Sequence, residues 1–135
     1  MKTTENNRGK IGIEFMADNR PQIVYRPNVG GVWMDRNELC ELFGCYLSEM
    51  EKHISALFLT NNFNPRDVSH YHLTVKGKLI GYDMYEFNLE IIAALSFRIH
   101  SWQAKLVREW FMERVMKLAC FPIPIDKLEQ SYSLN

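Results

Sequence analysis

A glycine between two short segments of helical periodicity constrains this chain more than any other feature. The stretch runs from Trp33 to Phe58, WMDRNELCELFGCYLSEMEKHISALF. Asp35 is placed to cap a first helix, in which Leu39, Leu42 and Phe43 recur at i, i+3 and i+4. Gly44 then supplies the positive φ that ends it. A second helix follows at once, with Leu47, Met50, Ile54, Leu57 and Phe58 at spacings of three and four, so one face packs onto the first helix and the other stays free. Cys40 is small where two such helices approach closely, and Met50 points into the same core. The spacing predicts a helix-turn-helix over 33–58, with an ordinary αα-hairpin as the alternative.

The flanking text predicts β structure. Residues 1–9 are polar, a flexible tail. From Lys10, Ile11, Ile13 and Phe15 alternate with Gly12, Glu14 and Met16, and a turn at residues 17–21 leads to Gln22–Arg26, which makes a β-hairpin. Residues 27–31 are a turn cluster delivering Val32 and Trp33, a third short strand or an apolar lead-in, with Trp33 expected as a core anchor. After Phe58, LTNNFNPRD reads as a loop closed by Asn64-Pro65. Alternation returns, with Tyr71, Leu73 and Val75 on one face and His70, His72 and Thr74 on the other. A tight turn at Lys76-Gly77 would set Val75 opposite Lys78, Leu73 opposite Ile80, Tyr71 opposite Tyr82, and His70 beside Asp83. Asn88 suits the cap of an almost wholly apolar helix, LEIIAALSFRI, expected at the centre of the core. His100 and Ser101 break it. A longer helix then runs to about Cys120, with Lys105, Arg108, Arg114 and Lys117 as exposed candidates, and FPIPI at 121–125 cannot be helical.

At 135 residues the chain suits one domain, large enough to bury roughly two-thirds of its unfolded surface without a metal or disulfide staple. Its odd count of three cysteines, with no Cys-x-x-Cys, reads as reduced thiols in a cytoplasm. No signal-like segment or membrane span is legible. Sixteen basic and sixteen acidic residues cancel, whereas a nucleic-acid module usually has a basic excess somewhere. Segment charges are +2 over 1–34, −3 over 35–58, −1 over 59–97 and +2 over 98–135, so the candidate reading head is the most acidic part. A carboxylate about 4 Å from a phosphate costs on the order of 1 kcal/mol even in water.

Residues 88–110 carry a further pattern. Asn88, Leu89 and Glu90, then Phe97, Arg98, Ile99 and Ser101, then Arg108 and Trp110 resemble the RhuM virulence-protein family, with its Asn-Leu-acid start, its Arg-Ile/Val-Asn-Ser turn and its Phe-Arg-x-Trp signature. Val32-Trp33, Glu41-Leu42-Phe43-Gly44 and His53-Ile54 also fall as in that family's helix-turn-helix. The resemblance spans about 11–119. It implies a DNA-binding fold related to phage antirepressor-type domains, in bacteria and their mobile elements, here as the N-terminal domain of longer members. His100 stands in place of Asn and Val107 in place of Phe. The family's second helix opens with Ser, Thr and Arg, whereas this chain has Tyr46, Leu47, Ser48, Glu49 and Glu51.

Together these readings give an α+β fold: an N-terminal β-hairpin, a helix-turn-helix, a wing-like β-hairpin and two core helices, winged-helix-like. The domain would span 10–121, with the helix-turn-helix at 33–58, the wing at 68–86, core helices at 88–119, and tails at 1–9 and 122–135. The expected function is binding of duplex DNA, possible regulation included, by a virulence-associated bacterial protein acting as a dimer. The alternative is a protein–protein interaction or dimerisation module that keeps the fold without DNA binding. Tyr46, Ser48, Lys52 and Ser55 are the candidate contacts on the reading helix, Lys76 and Lys78 on the wing, and Arg98 and Arg108 at the core helices as phosphate clamps. The bland readings are a solvated hairpin tip for the lysines and local carboxylate pairing for the arginines. His70 and His72 share a strand face without a third ligand, so neither a metal nor a cofactor is expected. Phosphate-loop and hydrolase motifs are missing, and catalysis is not expected.

Overall fold

The computed structural model describes residues 8–60 and 63–119 and is a mixed α+β structure with two small antiparallel sheets. Strands β1 (Lys10–Phe15) and β2 (Pro21–Arg26) pair as the first hairpin, Ile11 opposite Tyr25 and Ile13 opposite Ile23. Asn19, at φ 67°, makes its turn, a conformation asparagine tolerates better than most residues. The second sheet has the order β3-β5-β4, from β3 (Trp33–Met34), β4 (Ser69–Lys76) and β5 (Leu79–Asn88).

Helix α1 (Arg36–Phe43) opens with a capping box: the Asp35 carboxylate accepts from the Glu38 N–H, and the Glu38 carboxylate accepts from the Asp35 N–H. Gly44 closes it at φ 65°, ψ 45°, donating its N–H to the Cys40 carbonyl. The predicted cap and stop are both where the sequence puts them. Helix α2 (Leu47–Thr60) buries Met50, Ile54 and Leu57, and leaves Leu47 exposed. A four-residue helix, α3 (Pro65–Val68), stands where a loop is expected. Asn64 caps it and Pro65 fills its first position, so the residues that disfavour helix at Asn64 are those that start one after it.

The second hairpin departs from the expected register by two residues. Gly77, at φ 62°, takes the first of two turn positions, and Gly77-Lys78 rather than Lys76-Gly77 forms the loop. Val75 therefore faces Ile80, Leu73 faces Tyr82 and Tyr71 faces Met84. A bulge at Tyr85 then sets His70 opposite Glu86, and His72 takes Asp83. The shift is even, so every side chain keeps its face.

Helix α4 (Leu89–Ser96) is capped by the Asn88 side chain, which accepts from the N–H groups of Glu90 and Ile91. It ends earlier than its apolar run, since Phe97 is already its C-cap and lies exposed. Ile91, Ile92 and Leu95 are fully buried, as expected of a central helix. Helix α5 (Trp102–Ala119) enters the core through Ala104 and Val107, while Trp102, Val115 and Leu118 face out. Leu39, Phe43, Met50, Phe87, Ile91 and Val107 belong to one buried cluster that joins every layer. The extended run expected at 121–125 lies outside the described residues.

Candidate nucleic-acid interface

Helix α2 buries Met50, Ile54 and Leu57, and the opposite face follows by periodicity. Ser48, Lys52 and Ser55, at i, i+4 and i+7, form one exposed stripe, and Tyr46, 83% exposed, stands just ahead of it. Three of the predicted contacts are thus brought together on one helix face, with Tyr46 just ahead of it. Gly44 sets the angle between the helices, and a Cβ there would lie 2.3 Å from the Gln103 amide nitrogen of α5 as well as demanding a strained φ. The Ser101 hydroxyl donates to the Phe43 carbonyl at 2.6 Å and accepts from the Ala104 N–H at 3.0 Å. One serine therefore starts α5 and fastens it to the end of α1.

The carboxylates of α2 are paired. Arg36 binds Glu51 through Nε, donates through Nη1 to the Met84 carbonyl of β5, and lies 5.2 Å from the Phe87 ring centroid. This arginine, which the sequence reading passes over, joins α1, α2 and the root of the second hairpin. It also places a positive charge beside the carboxylate that otherwise repels phosphate. Glu49 lies 3.7 Å from His53 Nε2.

The remaining candidates fall in two places. Lys76 and Lys78 are exposed at the hairpin tip, and neither forms an ion pair among the described residues. Arg98 is exposed at the α4–α5 junction, its side chain likewise unpaired there. Arg108 is different. It is half-buried and donates to the Ser96 carbonyl at 2.5 Å, which replaces the expected carboxylate partner with a backbone acceptor at the end of α4. A guanidinium spent on that carbonyl orders the helix junction.

A second charged network lies at the other side of α1. Arg8 donates to the Trp33 carbonyl, bonds Glu38 at 2.6 Å and lies 3.5 Å from Glu86. Burial works against its charge, but the Glu38 hydrogen bond and the charges of Glu38, Glu86 and Asp35 outweigh it and raise its pKa. Glu86 also meets His70 Nδ1 at 2.9 Å, and the His70 ring stacks on Trp33 at 3.7 Å. Trp33 is thus a half-exposed platform, its Nε1 donating to the Gly30 carbonyl at 2.7 Å, rather than a core anchor. A concavity of about 820 Å³ beside it is lined by Arg8, Lys10, Asp35, Glu38 and Glu41 among others. Its carboxylates make it unsuited to an anion.

Cys40 and Cys45 flank the turn, half-buried and hydrogen-bonded to each other. Burial, with the neighbouring Cys40 thiol and Glu49 adding to it, pushes the Cys45 thiol up to about 11, and Cys40 moves the same way. No group of three or more His, Cys, Asp or Glu residues among those described could hold a metal ion. No helix among them is long and apolar enough to cross a membrane. No family model, curated protein or solved structure matches the chain.

Proposed function

We propose that this protein binds duplex DNA in the manner of a winged helix-turn-helix, as the RhuM resemblance implies. Helix α2 enters the major groove with Tyr46, Ser48, Lys52 and Ser55 toward the bases and phosphates. Lys76 and Lys78 reach a flanking backbone as a wing, and Arg98 clamps a phosphate near the turn. The carrying observation is the exposed Ser48, Lys52 and Ser55 stripe directly after the Gly44 turn, with Glu51 in its midst held by Arg36. Arg108 supports this surface from within rather than touching nucleic acid. A regulatory role follows from occupancy of a site.

The test is a salt series of duplex binding by fluorescence anisotropy, with Lys52→Ala and Arg98→Ala variants of unchanged circular dichroism. Each lost phosphate contact should lower the slope of log K against log salt by about 1. Unchanged slopes in both variants contradict the placement.

A second reading has its own observation. The segment 35–58 carries a net charge of −3, and Tyr46 and Leu47 stand exposed beside it. On that reading the helical pair serves a protein interaction or dimerisation and DNA binding is lost. Light scattering together with a pull-down separates the two, because a strict monomer without a partner counts against this reading.

A further inference from the structure

The outer edge of β1 carries backbone groups that no strand pairs. The Met16 N–H donates to the Arg20 carbonyl at 2.9 Å, and pairs in an antiparallel ladder alternate, so Lys10, Gly12 and Glu14 turn their backbone groups toward β2. Ile11, Ile13 and Phe15 turn theirs the other way, where, beyond the single bridge of Gly9 to Val32, no strand lies among the described residues. Gly9 agrees with this direction, since its N–H points to the same side and is taken by the Gly31 carbonyl at 2.8 Å. Space lies beside the edge, because the concavity of about 820 Å³ is lined by residues 9–13 on one side and by Trp33, Asp35, Glu38 and Glu41 on the other. On the polar face of the strand stand exposed Lys10 and Glu14, with Gly12 between them.

We infer that β1 pairs through this edge with β1 of a second copy of this chain, antiparallel and about a two-fold axis at Gly12. That register sets Lys10 of each copy opposite Glu14 of the other, Ile11 opposite Ile13, and Gly12 opposite Gly12. The Ile11–Ile13 pairs are the ones whose outward N–H and C=O groups exchange hydrogen bonds. The Lys10–Glu14 pairs are the non-hydrogen-bonded ones, in which opposed side chains come closest. A charge on an edge strand ordinarily blocks such pairing. Here the two charges are opposite and equidistant from the axis, so the antiparallel register makes both attractive, whereas a parallel in-register pair would set Lys10 against Lys10 and Glu14 against Glu14. Within one copy Lys10 reaches its own Glu14 at 3.8 Å across Gly12, but both side chains are about half-exposed and such a pair is worth little. The two-fold exchanges that contact for a directly opposed one. Asp35 and Glu38 of the groove wall are spent on the α1 cap and Arg8. Arg26, beside Lys10 on β2, strengthens the positive end that receives Glu14, and Glu41 across the groove works against it.

Area sets the strength. A specific interface takes about 800 Å² from each partner, and one strand of six residues offers less than that. The dimer is therefore weak, with a dissociation constant in the micromolar range. This inference does not depend on DNA binding, and its readouts are mass and amide exchange.

The experiment is sedimentation velocity of the full chain from low micromolar to a few hundred micromolar, for wild type, Glu14→Lys and the charge swap Lys10→Glu/Glu14→Lys. Both positions are exposed, and circular dichroism melts identify any variant that does not fold. The expected result is a wild-type mass rising from monomer to dimer, an association at least about tenfold weaker in Glu14→Lys, and recovery toward wild type in the swap, which restores opposite charges at the same register. A wild type that stays monomeric overturns the proposal. So does a folded Glu14→Lys that dimerises like wild type, which would place the interface elsewhere, or a folded swap no stronger than Glu14→Lys. Hydrogen exchange of the wild type carries the test without any variant. The Ile11 and Ile13 amides should slow as concentration rises through the association range, and amides that exchange equally fast throughout overturn the proposal.

Discussion

The two β-hairpins begin from the same sequence pattern and end in different surroundings. In the first, Ile11 and Ile23 are buried and Ile13 is packed against the core. Helix α5 covers that face, with Trp110 5.0 Å from the Tyr25 ring and Arg114 within 5.2 Å of both rings. In the second, the described residues cover the face only at its root, where Phe87 is fully buried, and leave Leu73, Val75 and Ile80 exposed. Alternation states which face of a strand is apolar. Whether anything covers that face depends on elements distant in sequence, and α5 reaches the first hairpin but not the far half of the second.

The largest effects should separate root from tip. Phe87→Ala removes a fully buried ring and should cost about 3–5 kcal/mol in urea denaturation. Leu73→Ala should stay within about 0.5 kcal/mol, because its side chain is mostly exposed. A loss above about 1 kcal/mol would mean that the outer half of the second hairpin is covered within the monomer. For the first hairpin, Ile23→Ala should cost about 2–3 kcal/mol, because the side chain is buried.

A smaller effect tests what ties the second hairpin to the helices. Arg36→Met releases Glu51 and the Met84 carbonyl, and hydrogen exchange should quicken around 84–86 while the first hairpin keeps its protection. Equal quickening in both hairpins would show that Arg36 is a global rather than a local tie. Comparable in size, Asp35→Ala should cost about 1 kcal/mol through the lost cap, and leave both hairpins alike.

The smallest effect is a pH dependence at the helix turn. Burial favours the neutral Cys45 thiol in the folded chain and raises it from 9.0 to about 11. The folded state then holds a proton that the unfolded state has lost, so stability is full below pH 9.0 and declines as pH rises toward about 11. Cys45→Ala should flatten that decline in melts taken across this range. An unchanged pH profile would place the sensitivity in other groups.

Much of the helical framework was legible because its signals are local. Asp35, Gly44 and Asn88 each act on residues within four positions of themselves, and each does what its type predicts. The hairpin register was missed because Gly77 could occupy either turn position, and only its φ decides. Of the candidate site, the α2 stripe followed from periodicity. Arg36, Arg8 and the true partners of His70 and Arg108 did not, since their contacts span 12 to 48 residues and nothing in a linear text marks them. Trp33 looked like core for its size, yet its neighbours are a histidine ring and a carbonyl rather than aliphatic side chains.

The most direct test of the central claim is the affinity of the wild-type protein for random-sequence duplex DNA at low and moderate salt. The account predicts measurable binding that weakens with a slope of about 3 to 5 in log K against log salt, as a handful of lysine and arginine contacts would give. No binding at low salt from a folded protein would contradict it and leave the acidic helix as part of a protein-binding surface.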